Sequence, residues 1–182
     1  MHRIRAKSNK CRRAPGLPSS ALELAGTVWK NRPMLVLASR SPTRKMLLSQ
    51  AGIDFVVRHA DIDERGLEAA AAEEGADASQ IALRLAVAKA RAVAGAGGVV
   101  IGGDQTLALG RELLHKPVDM AAARAQLLHL RGKTHRLHAA VALVAGTGIL
   151  WSHIETAELT LREFSDAELD TADLCRRVAH HS

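Results

Sequence analysis

The chain has 182 residues, 47% hydrophobic and 24% charged, which fits one compact domain burying roughly two thirds of its unfolded surface. No apolar run reaches the ~20 uninterrupted residues of a membrane-spanning helix, and 14 Gly with 5 Pro exclude a collagen-like or low-complexity chain. The net charge of +6 is confined to the start, because residues 1–33 hold eight basic residues against Glu23 alone while the remainder holds seventeen basic against eighteen acidic.

The basic character therefore says nothing about the partner of the folded part. With no Tyr, two Phe and two Trp, stacking platforms for single-stranded nucleic acid are missing too. No specific nucleic-acid partner and no membrane partner are expected. Cys11 and Cys175 stand at opposite ends without C-x-x-C or Cys/His pairing, so neither a disulfide framework nor a structural zinc site is encoded, and a reducing, cytoplasmic location fits.

Residues 1–33 show neither periodicity nor a long apolar stretch. Their Arg and Ser enrichment also suits a transit peptide or a basic arm, but Met34 directly precedes the first strand pattern. Residues 1–33 are therefore expected to be a disordered extension upstream of a functional start at Met34.

From Met34 onward the elements alternate. Met34 to Ala38 reads as a buried strand, and Ser41-Pro42 supplies a cap and a first-turn proline for a helix that Gly52 ends. Phe55 to Val57 predicts a second strand leading into Asp61-Ile62-Asp63-Glu64. A helix follows from about Ser79 to Ala94, with Ile81, Leu85 and Ala88 on one face. Gly97-Gly98 breaks it, and Val99 to Gly102 predicts a buried strand delivering Asp104-Gln105. After a hairpin around Gly110, a helix from Asp119 to Leu130 closes at Gly132, and strands cover Thr134 to Val144 and Ile149 to Leu161. The fold class is α/β with a mixed twisted sheet and flanking helices.

Three places concentrate chemistry. Ser39-Arg40-Ser41-Pro42-Thr43-Arg44-Lys45 lies where a strand meets a helix N-terminus, and such a junction with Arg44 and Lys45 in the first turn can bind an anion. It also reads as a plain Ser-Pro cap with solvated basic residues, Arg44 being an exposed side chain of the first turn. Gly102-Gly103-Asp104-Gln105 presents an acid at a strand end beside glycines that admit a ligand, a placement suited to holding Mg²⁺ or activating water; a turn-forming Asp is the alternative. Lys116, in His115-Lys116-Pro117, can neutralise a phosphate or be a solvated loop lysine. Asp61, Asp63 and Glu64 form an acidic cluster that suits a metal or a solvated strand exit. Lys89 alone reads as a surface lysine. His135 and His138, three apart on a strand, face opposite sides and do not share a metal.

In order and spacing, LASRSPTRKMLL, DIDE, AVAKA, VIGGDQTLAL, LLHKPVD and LRGKTHRLHAAVAL resemble the Maf family of nucleotide pyrophosphatases over about Met34 to Asp170. The resemblance implies two α/β lobes around a cleft, related to the inosine triphosphate pyrophosphatases, and hydrolysis of a nucleoside triphosphate to the monophosphate and pyrophosphate with Mg²⁺ or Mn²⁺. It places Ser39, Arg44, Glu64, Lys89, Asp104 and Lys116 on the family's active-site positions, Asp104 on its proton acceptor. On that basis Asp104, Lys116, Arg44 and Lys89 are the catalytic candidates. Ser39, Ser41, Thr43, Arg44 and Gln105 are the substrate-binding candidates, and Glu64 and Asp104 the metal ligands.

Thr43 departs from the family's Ser-Pro-Arg-Arg. Gln105, where the thymidine and uridine triphosphate branch carries Thr, resembles the branch acting on 7-methylguanosine triphosphate, so a modified purine nucleotide is favoured. After Asp170 the sequence TADLCRRVAHHS matches none of the family's later motifs. The expected division is thus 1–33 as extension, 34–170 as a Maf-like domain lacking the family's C-terminal segment, and 171–182 as a non-family tail. An abrupt edge strand there favours self-association, which a homodimer would satisfy. The alternative function is an inactive Maf-like regulator of cell division and septum formation that acts by binding.

Overall fold

The computed structural model describes residues 5–6, 34–96 and 98–170. The tail at 171–182, and the extension apart from residues 5–6, lie outside the described residues. In chain order the elements are β1 (Arg5–Ala6), β2 (Leu35–Ala38), α1 (Pro42–Gln50), β3 (Val56–Arg58), α2 (Glu64–Glu73), α3 (Ala78–Val93), a 3-10 turn (Ala94–Ala96), β4 (Val99–Leu109), β5 (Glu112–Leu114), α4 (Met120–Leu130), β6 (Thr134–Ala145), β7 (Gly148–Thr160) and α5 (Asp166–Asp170). One sheet runs β1-β7-β6-β4-β2-β3, with β5 paired to β4. β2 is parallel to both β3 and β4, whereas β5 is antiparallel to β4 and β1 to β7. The mixed α/β class matches the expectation.

Short polar side chains start the helices. Ser41 caps α1 ahead of Pro42, Asp77 forms a reciprocal capping box with Gln80 at α3, and Asp119 caps α4, each satisfying amides that have no partner inside the helix. The sequence pattern did not predict α2. There Asp63 accepts the Gly66 amide at 2.9 Å and opens an Ala-rich segment, so the acidic run begins a helix as well as ending a strand approach. Gly110, at φ +64°, turns β4 back into β5 as expected.

The described residues divide into two compact units. One comprises 34–96, 98–105 and 139–155, and the other 5–6, 106–138 and 156–170; β4, β6 and β7 contribute to both. In the first unit α3 is buried on two sides. Ile81 and Leu85 pack with Ala71 of α2, while Ala82 and Ala86 pack on Ala140 and Ala142 of β6. Val36 and Ala38 of β2, Ala90, Val100 of β4 and Val144 form the adjoining cluster. Small residues on both partners let helix and sheet approach closely, and Gly102 takes this to its limit. A Cβ at Gly102 would fall on the Ala86 carbonyl and within 2.9 Å of the Ala90 Cβ. In the second unit Leu127 of α4 packs with Phe164 and Leu169, and the Arg131 guanidinium lies 5.5 Å from the centre of the Phe164 ring.

Candidate active site

The site is assembled in the first unit, where the parallel pairing of β2 with β4 stops. That pairing ends at Ala38 opposite Gly102. Ser39 therefore leaves the ladder just as β4 continues into Gly103 and Asp104. The sequence reading put Asp104 at a strand end, but β4 runs on to Leu109; what ends beside Asp104 is its neighbour β2. Alternation along β4 then decides which way each side chain faces. Gly102 and Asp104 share the face covered by α3, and Gly103 and Gln105 share the other.

The close approach at Gly102 brings Lys89, between Ala86 and Ala90 in sequence, onto Asp104. Lys89 Nζ donates to Asp104 Oδ1 at 2.6 Å and lies 2.8 Å from Glu64 Oε2. Its side chain is only 13% exposed and that of Asp104 10%, so Lys89 is no surface lysine. Glu64 arrives as the first residue of α2 and is half exposed at its side chain. Burial pushes the Asp104 carboxyl above its ordinary range and the Glu64 charge adds to this. The Lys89 hydrogen bond and charge, and the Arg44 charge, pull the other way, and burial wins.

On the second side of the site, Ser39 is buried and its Oγ accepts the Ser41 amide at 3.1 Å and Arg44 Nη1 at 3.3 Å. Ser41 Oγ receives the Arg44 amide at 3.4 Å. Arg44 is thus gripped at backbone and side chain by the turn that starts α1, half-buried where an exposed first-turn residue was expected. A Cβ at Gly103 would come within 3.0 Å of Arg44 Nε. Gly102 thus admits α3, and Gly103 leaves room for the Arg44 side chain.

The structure brings together Ser39, Ser41, Arg44, Glu64, Lys89 and Asp104. Thr43 is exposed on α1, and Gln105 is exposed on the β4 face that Gly103 shares with Arg44. Lys116 is exposed on the loop after β5 and belongs to the other compact unit. Of the acidic cluster Glu64 joins the site through Lys89, while Asp63 caps α2 and Asp61 is exposed. Among the described residues no group of three or more His, Cys, Asp and Glu is placed to hold a metal. His138 is buried and faces Thr156 Oγ1 at 2.8 Å, and His135 Nδ1 is buried without a hydrogen-bond partner.

A family model described as Maf-like protein matches residues 34–172. The chain belongs to the Maf family. Relatives of this Maf protein include a "7-methyl-GTP pyrophosphatase" of Brucella abortus biovar 1 (strain 9-941), 52% identical over 131 residues, 71% of this chain and 66% of the relative. Another protein of that name, from Rhizobium meliloti (strain 1021), is 45% identical over 76% of this chain and 71% of its own. A "Nucleoside triphosphate pyrophosphatase" of Bradyrhizobium diazoefficiens is 45% identical over 78% of this chain and 70% of its own. The chain thus spans about two thirds of the length of the curated relatives it matches. A solved HAM1 protein from Coxiella burnetii aligns with a TM-score of 0.44 at 17% identity, covering 70% of this chain and 71% of that one. No helix among the described residues of this Maf protein is long and apolar enough to cross a membrane.

Proposed function

We propose that this Maf protein is a nucleoside triphosphate pyrophosphatase: water attacks the α-phosphorus, the bond to the β-phosphate oxygen breaks, and a nucleoside monophosphate, pyrophosphate and a proton leave. The observation that carries the reading is the meeting of two cations and two carboxylates, Arg44 and Lys89 with Glu64 and Asp104, at the end of the β2/β4 pairing. Arg44, oriented by Ser39, binds phosphate oxygens. Lys89 neutralises charge that grows on the leaving pyrophosphate. Asp104 takes the proton of the attacking water, and a carboxyl whose affinity for protons burial has raised is suited to that task.

Glu64 and Asp104 also suit a divalent metal of the Mg²⁺ or Mn²⁺ class. Their oxygens, directed at one point occupied by Lys89 Nζ, are hard donors, and one or two carboxylates completed by substrate phosphates is the usual way Mg²⁺ is held. Bound there, such an ion would supply Lewis-acid polarisation of the phosphate and of the attacking water. For the base, 7-methylguanine is the candidate, supported by Gln105 on the Arg44 side of β4 and by the names of the relatives. A cytoplasmic site of action accords with the cysteine usage.

Pyrophosphate release, followed with Mg²⁺ or Mn²⁺ across canonical and modified nucleoside triphosphates, is expected to be fastest with 7-methyl-GTP. Asp104→Asn should lower that rate by at least ~100-fold, the scale for loss of a proton-transfer group. No release from any nucleoside triphosphate would refute the reading. An active Asp104→Asn protein would remove Asp104 from the proton transfer.

A further inference from the structure

The Lys89 ammonium stands between the two carboxylates at which a divalent cation would be held, 2.6 Å from one and 2.8 Å from the other. We propose that Lys89 is the resident counter-ion of the Glu64/Asp104 pair and that a divalent cation competes with it for these oxygens, so that Lys89 holds metal affinity down while no triphosphate is bound. The inference rests on the pyrophosphatase reading for the identity of the anion that receives Lys89, but the competition itself needs no nucleotide.

Charge balance is the first support. Arg44 and Lys89 against Glu64 and Asp104 form a neutral set, so a divalent ion entering alone leaves two uncompensated positive charges in a half-buried place. A triphosphate, with about four negative charges, removes that imbalance and offers the ammonium new oxygens. Packing is the second support. Lys89 lies between Ala86 and Ala90, which are fully buried in the clusters that α3 forms with the sheet, so withdrawing the helix to admit an ion would open those contacts. The flexible four-carbon stem is the part that can yield. Coulomb attraction at 2.6–2.8 Å is then lost on metal entry, and a divalent ion has to exceed it.

The test is a calorimetric titration of Mn²⁺ into the full chain, stripped of metal with chelator and free of nucleotide. Lys89→Met, which keeps most of the apolar stem but removes the charge, should bind Mn²⁺ at least about tenfold more tightly than the unsubstituted chain. Lys89→Gln should shift in the same direction, and adding Glu64→Gln to either should abolish the gain. If Lys89→Met folds poorly, the melting temperature of Lys89→Gln should rise with Mn²⁺ by more than that of the unsubstituted chain does. Equal or weaker Mn²⁺ affinity in the Lys89 variants, or a gain that survives Glu64→Gln, would overturn the proposal. Because nucleotide is absent throughout, a chain that hydrolyses no triphosphate can still show the exchange, and an active enzyme can still lack it.

Discussion

Asp104 carries its charge into a place that water barely reaches, and two cations keep that tolerable without fully offsetting it. Its folded-state affinity for protons is raised, so the folded chain holds this proton to higher pH than the unfolded chain does. By linkage, Asp104 makes stability fall as pH rises from its ordinary value of 3.8 through the raised one, and leaves it level above. In Asp104→Asn that fall is absent. The stability of the variant minus that of the unsubstituted chain, measured by urea unfolding in chelator, should therefore increase with pH inside this window, by at most about 1.4 kcal/mol per pH unit, and then plateau. A difference that decreases with pH would mean that the Lys89 pair, and not burial, governs the carboxyl. The neighbouring ion pair with Glu64 adds little to this account, because Glu64 is half exposed and screened by solvent.

The elements meet at this site because of two residues that lack side chains. Gly102 lets α3 lie against β4, and that contact sets the height at which Lys89 reaches Asp104. Gly102→Ala should cost about 3 kcal/mol or more in denaturant unfolding, since the added carbon meets backbone at Ala86 and cannot be relieved by a rotamer change. Stability within about 0.5 kcal/mol of the parent would show that helix and sheet can part without loss. Here the limit of sequence reading is visible in physical terms. The β2-to-α1 junction was legible because Ser-Pro capping is local chemistry, and α3, α4, β6 and β7 because their periodicity or alternation is long. α2 was missed because Asp63 and Glu64 looked like one acidic cluster, whereas one is a cap and the other a site residue. The close approaches of Ala86 to Gly102 and of Arg44 to Gly103 were not legible, because those neighbours are distant in sequence. Lys89 was legible only through the resemblance, since nothing local distinguishes it from a surface lysine on an amphipathic helix. α1 shows the converse: it has no buried residue, with Met46 50% and Leu47 56% exposed, and is held through its first turn by the same Ser39, Ser41 and Arg44 contacts that build the site.

At the scale of the whole molecule, charge and structure separate. The excess positive charge lies within residues 1–33, while the candidate site draws on residues from Ser39 to Asp104. Within that segment the described residues Arg5 and Ala6 pair with Glu158 and Ala157 of β7. A two-residue pairing is a small part of the hydrogen bonding of a chain this size. Because no helix or strand pattern precedes Met34 in the sequence, deleting residues 1–33 should shift the melting temperature by no more than about 2–4 °C, the change that ~1 kcal/mol makes in a domain of this size. The same deletion should remove whatever salt-sensitive binding to nucleic acid the full chain shows, because the charge left behind is close to zero and slightly negative. Calorimetric melting and a filter-binding series at low and high salt check both halves. A fall of ten degrees would mean that the basic segment contributes substantially to the packed structure, and nucleic-acid binding undiminished by the deletion would move the responsible surface into residues 34–182.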